Sequence, residues 1–155
     1  MRARILGLVA VLLAAGCIRL GKPPTPPVMP IASPSVRVNG IEIEIEVGWM
    51  PKGTRQVTLL VTVFNTSVLR SDDLAVDIDV HGFALADGRP RWSGLVPIRS
   101  KIYQEVTYTM PVDARAGRID VAVRRKRSPM PFWRTELRFS RSGGSVRLVS
   151  SSAPR

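Results

Sequence analysis

Cysteine and histidine are almost missing: the 155 residues contain Cys17, His81 and no others. A lone cysteine cannot close an internal disulfide, and one thiol with one imidazole cannot build the clusters that hold zinc. No glycine-rich phosphate loop or serine nucleophile elbow occurs. The sequence therefore predicts no catalytic residues, no metal and no cofactor, and a protein that is not an enzyme. Acidic residues are scarce too, 12 against 23 Lys and Arg, for a net charge of +11. Residues 89–155 hold 15 of those basic residues and only 4 acidic ones, whereas residues 35–88 hold 4 basic and 8 acidic. A basic half can serve an anionic partner or can reflect arginine-rich codon usage, and the second reading is the simpler.

Long apolar runs are also absent. The longest, Ile5–Ala15, has 11 residues, too few for a transmembrane helix of about 20. It follows a short basic start (Arg2, Arg4) and ends in the small residues Ala14 and Ala15, with Gly16 next. That arrangement reads as a secretory signal peptide over residues 1–16. The stretch "LLAAGC" resembles the lipobox of bacterial envelope lipoproteins, with Ala14 where leucine is usual. The resemblance implies cleavage before Cys17, a diacylglycerol on its thiol and an acylated new N-terminus. It also implies a lipid-anchored location in the cell envelope. Ile18 stands where an aspartate would favour inner-membrane retention, so the periplasmic face of the outer membrane is expected.

Residues 17–34 then form the lipidated cysteine and a linker. "GKPPTPPVMPIASP" (residues 21–34) has six prolines, which exclude helix and strand ladders and favour an extended path. The 17 residues 18–34 could reach roughly 50 Å. A spacer is expected; a proline-rich ligand is the alternative.

From residue 35 the period becomes two. "IEIEIEV" (Ile41–Val47) alternates without fault, and "QVTLLVTVFN" (Gln56–Asn65) is apolar on both faces, as a central strand would be. Further strands are expected at 74–83, 92–98, 102–110, 118–124, 132–139 and 145–150. "VNG" (38–40) predicts a hairpin turn with a short partner before Ile41. "MPKGT", "LADGR", "ARAGR" and "RSGGS" read as turns. Helical periodicity is absent. The expectation is an all-β, antiparallel sandwich of seven or eight strands over residues 35–150, with residues 151–155 as a disordered tail.

The order "VTVFN" (61–65), "VDIDVHGF", "ADG" (86–88), "LVPI" and "EVTYTM" resembles the small immunoglobulin-like modules of bacterial envelope lipoproteins, over about residues 55–125. Such modules bind or assemble. The resemblance implies an interaction or assembly module with an unidentified envelope protein partner, the alternative being a carrier of a small hydrophobic or anionic envelope ligand. Asn65 is expected to bond a turn backbone at its strand end.

Arg124, Arg125, Lys126 and Arg127 are the candidate patch for an anionic partner; a solvated hairpin tip is the other reading. Export and the lack of an aromatic-interleaved basic platform speak against nucleic acid. His81 is expected on the surface. Asp72 and Asp73 are expected to solvate a loop, and Asp77 and Asp79 to line a polar strand face. Glu42, Glu44 and Glu46 either guard an edge or meet Arg134 and Arg138 across neighbouring strands.

Overall fold

The computed structural model describes residues 35–48 and 53–152. Cys17 and the residues read as a signal peptide and a linker therefore lie outside the described residues. Ten strands run β1 (Val36–Val38), β2 (Ile41–Val47), β3 (Gln56–Asn65), β4 (Asp72–His81), β5 (Ala84–Gly88), β6 (Arg91–Val96), β7 (Lys101–Thr109), β8 (Ala116–Arg125), β9 (Pro131–Ser142) and β10 (Ser145–Ser151). They form two antiparallel five-stranded sheets, β1-β2-β3-β7-β5 and β10-β9-β8-β4-β6. The fold is the expected all-β sandwich. Its pairings β2–β3–β7 and β9–β8–β4 follow the immunoglobulin-like order.

The alternating residues explain the two layers. Ile41, Ile43, Ile45 and Val47 of β2 and Val57, Leu59, Val61 and Val63 of β3 are buried from one sheet. Leu74, Val76 and Ile78 of β4, Ile119, Val121 and Val123 of β8, and Trp133, Leu137 and Phe139 of β9 meet them from the other. Each such side chain taken from water contributes about 1.5–3 kcal/mol before chain entropy is subtracted. β3 is central, as its two apolar faces require. The hairpin into β2 turns at Asn39 and Gly40, both with positive φ (51° and 81°), which is why that dipeptide is Asn-Gly.

Three expectations change. First, the strand count is ten, because "ALADG" (Ala84–Gly88), read as part of a turn, is β5. All five residues are exposed, so β5 carries no alternation signal. Its pairing with β7 breaks register between Leu85 and Asp87, and it ends at Gly88 (φ 87°). A Cβ on Gly88 would collide with the Glu105 carbonyl, so the residue at this closure has to be glycine. Second, β2 and β9 lie in different sheets, so Glu42–Glu46 and Arg134/Arg138 are not neighbours. Glu42 faces Arg37 at 3.7 Å instead. Third, the sandwich runs past Ser150: Ser151 ends β10, and Ser152 N–H donates to the Glu136 carbonyl at 2.9 Å.

The outer face of the β8 sheet is a lattice of charge. Asp79, Asp120 and Glu136 lie side by side in one cross-strand row. Like charges placed so would repel, but the flanking rows supply arginines. Arg118 reaches Asp120 (3.0 Å) and Glu136 (3.6 Å), Arg134 reaches Asp120 (3.5 Å), and Arg91 lies 3.9 Å from both Asp77 and Asp79. Much of the basic excess of the second half is thus spent holding acidic strand residues.

Candidate functional site

One end of the sandwich gathers four connections: residues 39–40, 66–71, 97–100 and 126–130. Asn65, at the end of β3, organises two of them. It is fully buried. Its Oδ1 accepts from Ser67 N–H at 3.0 Å, and its Nδ2 donates to the Arg70 carbonyl at 3.0 Å and the Val96 carbonyl at 3.1 Å. Its own N–H donates to Ser100 O at 3.0 Å. The 66–71 loop is therefore pinned to the β6–β7 turn. The 39–40 turn joins through Thr66 N–H to Gly40 O (2.8 Å), and the 126–130 loop through Lys126 N–H to Asp73 O (2.9 Å). The turn-bonding role expected of Asn65 is present, and it reaches two connections at once.

The basic run lies at this end, with most of its charge engaged. Arg124 donates from Nε to Asp77 (2.9 Å) and from Nη1 to the Lys126 and Ser128 carbonyls (3.1 and 3.3 Å), stapling the loop to its own sheet. Arg125 meets Asp72 at 3.3 Å and Lys126 meets Asp73 at 3.7 Å. Asp72 is buried at the start of β4. The expectation that Asp72 solvates a loop is thus corrected: this carboxylate is the inner partner of Arg125. Arg127 is exposed and makes no ion pair among the described residues. His81 is exposed at the end of β4, away from this end.

Aliphatic side chains surround these cations. Of the nine exposed large apolar residues among those described, Val68, Leu69, Leu95, Ile98 and Met130 lie in or beside these connections, with Leu69 87% and Met130 74% exposed. More than half of the exposed large apolar side chains among the described residues thus sit at one end of the sandwich, too many to be scattered singly. Sequence reading missed them, although aliphatic residues inside "TSVLRS", "PIRS" and "KRSPM" break the polar character of a solvated loop. Arg99 adds a second irregularity. It holds φ at 52° at the tip of a turn closed by Ser100 N–H to Pro97 O (3.2 Å). Glycine or asparagine suits that position better.

A cleft of about 630 Å³ opens along the side, where Gly88 and Arg89 meet Trp92, Tyr103 and Gln104. Gln104 is buried; its Nε2 donates to Arg89 O at 2.7 Å, while its Oε1 has no partner. Among the described residues, no group of three or more His, Cys, Asp or Glu is placed to hold a metal ion.

The chain matches no family model and no curated protein. What it does must therefore be read from its own residues.

Proposed function

We propose that this is a lipid-anchored, non-catalytic protein of the bacterial cell envelope whose β-sandwich is a binding module. The loop end held by Asn65 is its contact surface. The observation that carries the reading is the gathering of exposed aliphatic side chains and cations on one end of a domain that buries most of its other large apolar side chains between two sheets. The anchor rests on the "LLAAGC" stretch at Cys17, and the proline-rich residues after it supply reach. The outer membrane, on its periplasmic face, is the proposed site.

Replacing Cys17 with alanine and fractionating cells tests the anchor. The expected result is loss of the protein from membranes and of lipid from its N-terminus; unchanged membrane association without lipid refutes it. A second reading, a carrier of a small envelope ligand, is supported by the cleft at Trp92 and the unpartnered Gln104 oxygen. Its test is the fluorescence of Trp92 titrated with envelope lipid and glycan extracts. A saturable change abolished by Gln104→Leu would favour the carrier, and no change would leave the loop end as the working surface.

A further inference from the structure

We propose that the loop end docks on an anionic lipid surface, a step that rests on the binding-module reading and names its partner. Charge comes first. Arg70, Arg99, Lys101, Arg125, Lys126 and Arg127 all lie in or beside the four connections, and the acidic residues there are Asp72 and Asp73. Six cations against two carboxylates leave a surplus of four. Asp72, its side chain 6% exposed, pairs with Arg70 and Arg125, and Asp73 with Lys126, so Arg99, Lys101 and Arg127 are the cations there with no ion pair among the described residues.

Shape and side-chain type separate a bilayer from an acidic protein. Protein interfaces are centred on aromatic anchors seated in pockets, with Arg and Met also enriched. The four connections contain no aromatic residue, and the two beside them, Phe64 and Phe132, are half-buried. Their apolar groups are aliphatic and protrude from loop tips, Val68 and Leu69 from one, Ile98 from the next and Met130 from a third. Aliphatic tips ringed by Arg and Lys match the boundary between headgroups and acyl chains, where the tips enter hydrocarbon and the cations stay at phosphate level.

Arg99 supports the same partner. Its positive φ holds a guanidinium at the tip of the 97–100 turn, where glycine would relieve the backbone. The turn is held by the fold, through Ser100 N–H to Pro97 O and Asn65 N–H to Ser100 O, and it presents the Arg99 cation beside Ile98. In this arrangement the lipid on Cys17 retains the protein, and the loop end fixes which way the domain faces.

The test uses the chain from residue 17 onward carrying Cys17→Ser, so that no acyl chain contributes. It is sedimented with vesicles of phosphatidylcholine containing phosphatidylglycerol, and with phosphatidylcholine alone. Binding is expected to the anionic vesicles, weakening as salt rises. Arg99→Glu with Arg127→Glu should weaken it about tenfold or more. Leu69→Ser with Met130→Ser, which leaves net charge unchanged, should weaken it by about tenfold. Arg115→Glu with Arg147→Glu, exposed sites toward the opposite end, should leave it within about twofold of the parent. Circular dichroism confirms that each variant is folded. Three results would each overturn the proposal: no binding to anionic vesicles, equal loss from the Arg115/Arg147 pair, or full binding by the Leu69/Met130 pair. So would an acidic envelope protein that occupies the loop end and excludes vesicles. The Cys17→Ala fractionation is independent of all these outcomes, so the anchor can fail while the docking surface stands, and the reverse.

Discussion

Asn65→Ala should be among the most damaging substitutions of a single polar side chain in this protein. Asn65 is 0% exposed and makes three side-chain hydrogen bonds, one accepted from Ser67 N–H and two donated to the Arg70 and Val96 carbonyls. At about 1 kcal/mol for each bond lost, the sum is about 3 kcal/mol. The bond to Val96 is itself buried, so a carbonyl left bare there adds to the loss. For a domain of this size such a loss lowers Tm by about 10 °C. Asn65→Asp sharpens the test. It retains the acceptor for Ser67 N–H but sets a carboxylate against two carbonyl oxygens, so it should be less stable than the alanine variant. Thermal unfolding followed by circular dichroism measures both. A Tm within about 3 °C of the parent for alanine, or an aspartate variant as stable as the parent, would refute the role given to this side chain. Because the loop end depends on the same bonds, either variant should also lose vesicle binding below its own Tm.

Three further outcomes follow from the packing and charge of the sandwich. Gly117→Ala should destabilise by about 1–3 kcal/mol, measured by urea unfolding, because a Cβ there would run into the Phe83 ring and approach Met110 Cε at 3.0 Å. Tyr108→Phe should be neutral or stabilising by about 1 kcal/mol, since the Tyr108 hydroxyl is buried without a partner. Burial also pushes that phenol up to about 12, with the charge of Asp79 adding to the shift. A raised phenol contributes stability that is lost as pH climbs past its ordinary value of 10.0, so the alkaline limb of unfolding should flatten in Tyr108→Phe. The Arg138 hydrogen bond holds the Glu136 carboxyl below its ordinary 4.5, against the opposing effect of burial and with the charges of Arg138, Arg118 and Arg134 adding to the lowering. Its contribution is present above that ordinary value and lost as pH falls through the lower folded value, so Glu136→Gln should flatten the acid limb of a Tm-against-pH curve.

The sandwich was legible because its strands bury one face each. The repeat of Ile and Glu in β2, and of Val, Ile and Asp in β4, records that geometry directly. β5 was hidden because it is exposed on both faces and closes on a glycine, so nothing in its side chains reports the pairing with β7. The glutamate–arginine pairing failed for a different reason. Alternation states which face a residue takes but not which sheet its strand joins, and β2 and β9 belong to opposite layers. The run Arg124–Arg127 was visible as charge. That Arg124 and Arg125 pair with Asp77 and Asp72 depends on β4 lying beside β8, contacts between residues about fifty positions apart. The apolar loop tips could have been noticed residue by residue. Their convergence on one end depends on the Greek-key path and on Asn65 bonding two connections at once.

Photo-cross-linking in living cells tests the central claim most directly. A benzophenone side chain is placed at position 69 or 130 on the loop end, and at position 112 on the opposite end, where Val112 is comparably exposed at 71%. Envelope cross-links at 69 and 130, with little or none at 112, are the predicted result. Equal cross-linking at all three positions, or cross-links at 112 alone, would contradict the assignment of the loop end as the working surface.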